Sequence, residues 1–145
     1  MTSADFRISW AGRIDLPSIE RINRHFDGPQ SHDPGFFQEG LTSGRLLLAK
    51  SNEIPGGYLL YQLLWGNLPF IALLRVIPDL RGKGLGSRLW RIAGERLRNE
   101  GYAAVLSSCE ETNQRGNEFH VKMGFKKIGM LSLCFANEIF YTVNL

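Results

Sequence analysis

The stretch "LLRVIPDLRGKGLGSRLWRIAGERL" (residues 73–97) decides the fold. Leu73–Val76 closes an apolar run that begins at Leu68. Gly82, Gly84 and Gly86 then fall at every second position, beside Arg81 and Lys83. From Leu85 on, Leu85, Leu89, Ile92, Ala93 and Leu97 recur at helical spacing, with Arg88, Arg91, Glu95 and Arg98 on the opposite face. A strand thus runs through a basic, flexible turn into an amphipathic helix. Such a helix start exposes unpaired N–H groups and the positive end of the dipole. Glycines keep side chains away from those groups and permit the positive φ angles that aim several N–H groups at one point. The chemistry suits a pyrophosphate. The alternative is a plain glycine-rich turn with a solvated basic face.

The flanking sequence reads outward from this unit. "FRISW" (6–10) alternates as a strand, and "DLPSIERINRHF" (15–26) carries helix-start signals at Asp15 and Pro17. A loop is expected over 27–35, a short helix over 36–44 ending at Gly44, and a strand over 45–50. After a turn at 52–56, "GYLLYQLLW" (57–65) and "LPFIALLRV" (68–76) read as a hairpin joined by Gly66-Asn67. The quoted helix stops near Gly101. A buried strand follows at 103–108, then a helix over 112–124 and a final strand pair, "FKKIGML" and "NEIFYTV". The order is β-α-α-β-β-β-α-β-α-β-β, an α/β (α+β) chain with a mixed sheet covered by helices.

The chain has 145 residues, 43% hydrophobic and 21% charged, which fits one domain over 1–145. No apolar run approaches the ~20 residues that cross a bilayer, and the start "MTSADFRISW" has no apolar signal core. Cys109 and Cys134 form no CxxC or Cys/His cluster, so no metal and a reducing, cytoplasmic setting are expected. A net charge of +3 without a lysine-rich run argues against nucleic acid, and no membrane partner is expected.

The identity of the phosphate ligand is narrowed by mismatch. The pattern GxxxxGK[ST] fails because Gly84 follows Lys83, and GxGxxG fails because Leu89 or Ser87 stands at its third glycine. What remains is Arg81-x-x-Gly84-x-Gly86 after "VIPDL". This resembles the [Q/R]-x-x-G-x-[G/A] signature of the GCN5-related N-acetyltransferases (GNAT). About 27 residues on, "TNQRGNEFHVKMGFKKIGM" resembles the family's second motif. Asn113 and Gly124-Phe125 match it, and Gly116 stands for the usual alanine. The likeness covers about residues 45–131 well.

The resemblance implies a GNAT fold: about seven strands splayed between the fourth and fifth, with about four helices. It implies acetyl-CoA as co-substrate, its pyrophosphate on Arg81, Gly82, Lys83, Gly84, Leu85, Gly86 and Ser87. The pantetheine arm would pair with backbone at Leu74, Arg75 and Val76, and Asn113 and His120 would complete the cofactor contacts. The reaction would be direct attack of a primary amine in a ternary complex, on a small molecule or a peptide. A non-catalytic acetyl-CoA-binding or regulatory module is the alternative.

Acetyl transfer needs a base for the amine, an oxyanion donor near Val76 and an acid for the thiolate. Many family members carry a tyrosine for the last role; here that position is His120, which could donate a proton or simply pack. Relatives that acetylate ribosomal-protein N-termini carry a glutamate five residues before the motif asparagine; here it is Ser108. Glu110 or Glu111, expected on the following loop, could act through water. Cys109 could carry an acyl group, although a small buried cysteine is commoner. His25 and His32 are expected at the surface. Some of Phe36, Phe37, Tyr58, Tyr61, Trp65 and Tyr141 would line an acceptor pocket, the rest being core. Edge strands in "LCFANEIFYTVNL" could pair into a homodimer.

Overall fold

Apolar runs too short for helices and rich in leucine, as at 46–49, favour strands buried on both faces, and Leu46, Leu47, Leu48 and Ala49 are all buried. The structure, a computed structural model, describes residues 1–26 and 32–145. Its strands are β1 (Arg7–Trp10), β2 (Leu46–Ser51), β3 (Ile54–Leu64), β4 (Leu68–Val76), β5 (Ala104–Glu110), β6 (Lys126–Ser132) and β7 (Asn137–Asn144). Its α-helices are α1 (Leu16–Asn23), α2 (Pro34–Ser43), α3 (Leu85–Asn99) and α4 (Gln114–Lys122). The seven strands form one mixed sheet in the order β1-β2-β3-β4-β5-β7-β6. β4 and β5 run parallel, registering Phe70 with Leu106 and Ile71 with Ser107. β5 and β6 both pair antiparallel with β7.

Element types follow the sequence pattern; several boundaries move for local reasons. α1 ends at Asn23, and Arg24–Phe26 tighten into a 3-10 turn. α2 starts at Pro34, two residues before the expected start, because Asp33 accepts the Gly35 N–H at 2.7 Å and proline suits the first turn. Of the expected loop at 27–35, residues 27–31 lie outside the described residues. β3 begins at Ile54, after a tight turn with Asn52 at φ 54°. The next turn centres on Trp65 and Gly66, both with positive φ, so Trp65 leaves the strand and is 87% exposed. β5 continues to Glu110 because β7 pairs with it that far, Glu110 opposite Glu138.

The chain divides into two compact units: Met1–Tyr61 with Leu73–Ala93, and Gln62–Ala72 with Gly94–Leu145. The first has its core between α1, α2 and the sheet, built on Ile19, Ile22, Phe37, Leu41, Leu46, Leu48, Tyr58 and Leu60. A full burial of each such aliphatic side chain contributes roughly 1.5–3 kcal/mol. The approach is close: a Cβ on Gly40 would sit 2.4 Å from Leu60 Cδ1. In the second unit, Val105, Phe125, Ile139 and Tyr141 are buried. Register gives the β5–β7 ribbon two faces. Ser107, Cys109, Ile139 and Tyr141 share one, and α4 contacts it through His120 and Asn117. Leu106, Ser108, Glu110, Glu138 and Phe140 share the other.

Candidate active site

Val76 ends β4, a 3-10 turn follows at Pro78–Leu80, and α3 begins at Leu85. Gly82 and Gly84 between them adopt φ 75° and 85°, the left-handed region expected of them, and a Cβ on either would meet open space. Gly82, Lys83 and Gly84 are exposed. The Arg88 N–H bonds the Gly84 carbonyl at 3.1 Å, so Gly84 takes the N-cap position of α3. A glycine there supplies no side-chain cap, which keeps the first-turn N–H groups available to a ligand.

The loop cations are held in place. Arg81 Nε donates to the Val76 carbonyl at 3.2 Å, and its guanidinium lies 5.6 Å from the centre of the Phe26 ring. Lys83 Nζ donates to the Met1 carbonyl at 3.2 Å, and Arg88 binds Ser3 and the Phe6 carbonyl. Of the residues expected to pair through backbone, Leu74, Arg75 and Val76 lie beyond Ile71, where the described β4–β5 ladder ends.

In the second unit Asn113 caps α4, its side chain accepting the Gly116 N–H at 2.9 Å. His120 is buried on the same helix. Its Nδ1 lies 2.7 Å from the Gly116 carbonyl and its Nε2 2.7 Å from Ser107 Oγ. A carbonyl only accepts, so Nδ1 carries the proton and Nε2 accepts from the serine hydroxyl. The ring stacks on Tyr141 at 4.4 Å. Burial lowers the His120 pKa below its ordinary 6.5, against the raising effect of the Gly116 bond. Asn117 ties this layer together. Its Nδ2 donates to the carbonyls of Glu110, Glu111 and Asn113, which fixes Oδ1 toward Tyr141 and Cys109. Cys109 donates to that oxygen at 3.3 Å, and burial, helped by the Glu138 charge, pushes its thiol up to about 11. It is therefore a thiol at neutral pH, poorly suited to carry an acyl group.

Residues 15–125 match the Acetyltransferase (GNAT) family. The chain belongs to this family. Solved structures share the fold at low identity. Ard1 from Thermoplasma volcanium is 16% identical with a TM-score of 0.87, over 97% of this chain and 98% of that one. Naa50 from Arabidopsis thaliana, in complex with the bisubstrate analogue CoA-Ac-MVNAL, is 16% identical with a TM-score of 0.83, over 97% and 99%. The ribosomal-protein-S18-alanine N-acetyltransferase from Escherichia coli is 16% identical with a TM-score of 0.81, over 96% and 93%.

Against this acetyltransferase frame, several side chains depart from the sequence expectation. Glu110 is the last residue of β5 and not a loop residue, while Glu111 lies in the turn and accepts from Asn137 Nδ2 at 3.4 Å. Of the six candidate pocket aromatics, Phe37, Tyr58, Tyr61 and Tyr141 are buried. His32 is exposed, yet it accepts from Arg75 at 3.4 Å and stacks on Phe36. Two side chains have partners that the sequence pattern does not signal. The Arg75 side chain is buried in the first unit, donating to Asn23 Oδ1 at 3.0 Å and Tyr58 Oη at 3.2 Å, with its guanidinium 4.7 Å from the Phe26 ring centre. Desolvation drives the Tyr58 pKa up to about 12, against the opposing charge of Arg75. The second is Glu138, whose Oε2 accepts the Ser108 hydroxyl at 2.8 Å. Neither was legible: an arginine among strand leucines and a glutamate near a terminus look like surface residues until packing or register places them.

Proposed function

We propose that the whole chain, 1–145, is one acetyltransferase domain that moves the acetyl group of acetyl-CoA to a primary amine by direct attack. The family match runs through both compact units, which supports a single functional domain. The observation that carries the reading is the uncapped, open loop at 82–84 between β4 and α3. Acetyl-CoA is the co-substrate, and its pyrophosphate fits this loop. Leu85, Gly86 and Ser87 offer first-turn N–H groups, with Arg81 and Lys83 adding charge. Leu74, Arg75 and Val76 offer strand backbone to the pantetheine arm, with a Val76 N–H as oxyanion donor.

His120 fits a positioning role better than that of proton donor. Both ring nitrogens are engaged, and burial disfavours the imidazolium that donation needs. It holds α4 against β5 through Ser107. Asn113 supports the same helix by capping it. The acceptor is an amine of a small molecule or a peptide, and a cytoplasmic setting suits two free thiols. β6 ends the sheet order and exposes Ile128, Met130 and Leu131, which supports pairing with a second copy through that edge.

The test is acetyl-CoA with a panel of monoamines, polyamines, amino acids and peptides, read by free thiol release. Amine-dependent thiol release supports the reading. Acetyl-CoA binding with no release for any amine overturns it in favour of the binding-module alternative.

A further inference from the structure

Resting on the acetyl-CoA reading of the loop at 82–84, we infer that the turn at Ser3–Asp5 is a brace for Lys83, with Asp5 and Arg88 as positioning residues for acetyl-CoA binding. Every residue involved lies in the first compact unit. A chain of contacts runs from α3 back to the tip of the Lys83 side chain. Arg88 lies one helical turn after Gly84, on the face that periodicity assigns to solvent, yet it is half-buried. Its Nη1 donates to the Ser3 carbonyl and, at 3.2 Å, to Ser3 Oγ, and its Nη2 donates to the Phe6 carbonyl at 3.1 Å. Ser3–Asp5 form a 3-10 turn. Asp5 closes it: Oδ2 accepts the Thr2 N–H at 2.7 Å and the Thr2 hydroxyl at 3.2 Å, and the Asp5 N–H donates back to the Thr2 carbonyl at 3.1 Å. Phe6 anchors one end. It is buried, and a Cβ on Gly56 would come within 2.4 Å of its ring and 2.8 Å of Leu80, the last residue of the turn before Arg81. The other end is the Met1 carbonyl, which accepts from Lys83 Nζ at 3.2 Å.

A lysine on an exposed glycine loop would otherwise move among many rotamers, and ordering it when a ligand arrives costs affinity. The Met1 carbonyl takes one donor of the ammonium. Its other donors and its whole charge stay available to an anion. Among the described residues no carboxylate forms an ion pair with Lys83, so nothing there cancels that charge. The nearby carboxylate is occupied: the Thr2 N–H, and then the Thr2 hydroxyl, hold the Asp5 carboxyl below its ordinary 3.8. The turn therefore prepares Lys83 for a ligand and does not compete for it.

The experiment measures acetyl-CoA affinity by calorimetry for wild type, Asp5→Ala, Asp5→Asn, Arg88→Met and Lys83→Met. It includes Asp5→Ala and Arg88→Met each combined with Lys83→Met, and melting temperatures confirm that every variant is folded at the assay temperature. Asp5→Ala and Arg88→Met should each weaken affinity about 2–10-fold, the cost of ordering one long side chain on binding. Asp5→Asn keeps an oxygen for both Thr2 donors and should hold near the wild-type affinity. With Lys83→Met present, neither Asp5→Ala nor Arg88→Met should weaken affinity further, because no ammonium is left to position. A merely structural role for the turn would persist in that background. A rise in affinity in Asp5→Ala would make the Met1 carbonyl a competitor of the ligand and overturns the inference. Unchanged affinity in Asp5→Ala, Arg88→Met or Lys83→Met overturns it too, as does a loss of equal size with and without Lys83→Met. Wild type that binds no acetyl-CoA overturns the reading of the loop itself, and the brace with it.

Discussion

Helix α4 begins on a closed turn, with Asn113 taking the Gly116 N–H at 2.9 Å, whereas α3 begins on Gly84, which has no side chain to offer. The two starts come from the same backbone requirement met in different ways. A capped start satisfies its own donors and contributes only stability. An uncapped, exposed start leaves donors and dipole to a ligand. The difference separates an open helix start from a capped one, and it can be broken by substitution.

The largest effect is expected at the open end. Gly84→Val puts a β-branched side chain at φ 85° and into the space before α3, so the rise in melting temperature on adding acetyl-CoA should disappear. A folded Gly84→Val protein that keeps the full shift would remove the loop from the binding site.

A second contrast lies within the first unit, between exposed Lys83 on the loop and buried Arg75 in the core. Arg75→Met leaves Asn23 Oδ1 and Tyr58 Oη short of a buried donor and should cost about 2–4 kcal/mol in denaturant unfolding. Lys83→Met should leave unfolding unchanged and weaken acetyl-CoA binding, as read by calorimetry. Equal stability losses in both variants would erase the distinction.

At the closed end the effect is smaller. Asn113→Ala removes a cap and should cost about 1 kcal/mol of stability while acetyl-CoA affinity holds. A loss of affinity larger than the loss of stability would return Asn113 to the cofactor contacts that the sequence resemblance implies.

The smallest effect is a pH dependence from His120. Its folded pKa is depressed, so the unfolded chain takes up its proton first as pH falls. Stability from this group is fully present above its ordinary 6.5 and declines below it, through the lower folded value. His120→Phe keeps an aromatic ring against Tyr141 and should flatten melting temperature against pH in that range. A high-pH fall in wild-type kcat that vanishes in His120→Phe would instead favour a proton-donor role.

The sequence alone determined what depends on neighbours along the chain. The strand, the alternating glycines and the amphipathic helix were readable because the loop's chemistry belongs to its backbone. Gly82 and Gly84 adopt the left-handed conformations expected of them. The element order was readable for the same reason, from periodicity and turn residues. Tertiary structure decided what depends on which side chains meet. Glu110 belongs to β5 because β7 pairs with it, and Ser108 meets Glu138 only through the β5–β7 register, 30 residues apart in sequence. Arg75 is buried because Asn23 and Tyr58, 52 and 17 residues away, supply acceptors for its donors. Backbone conformation is set by local sterics and so is written in local sequence. A side chain's partner, and with it its charge state and chemical role, is set by strand register and packing, which no local window contains.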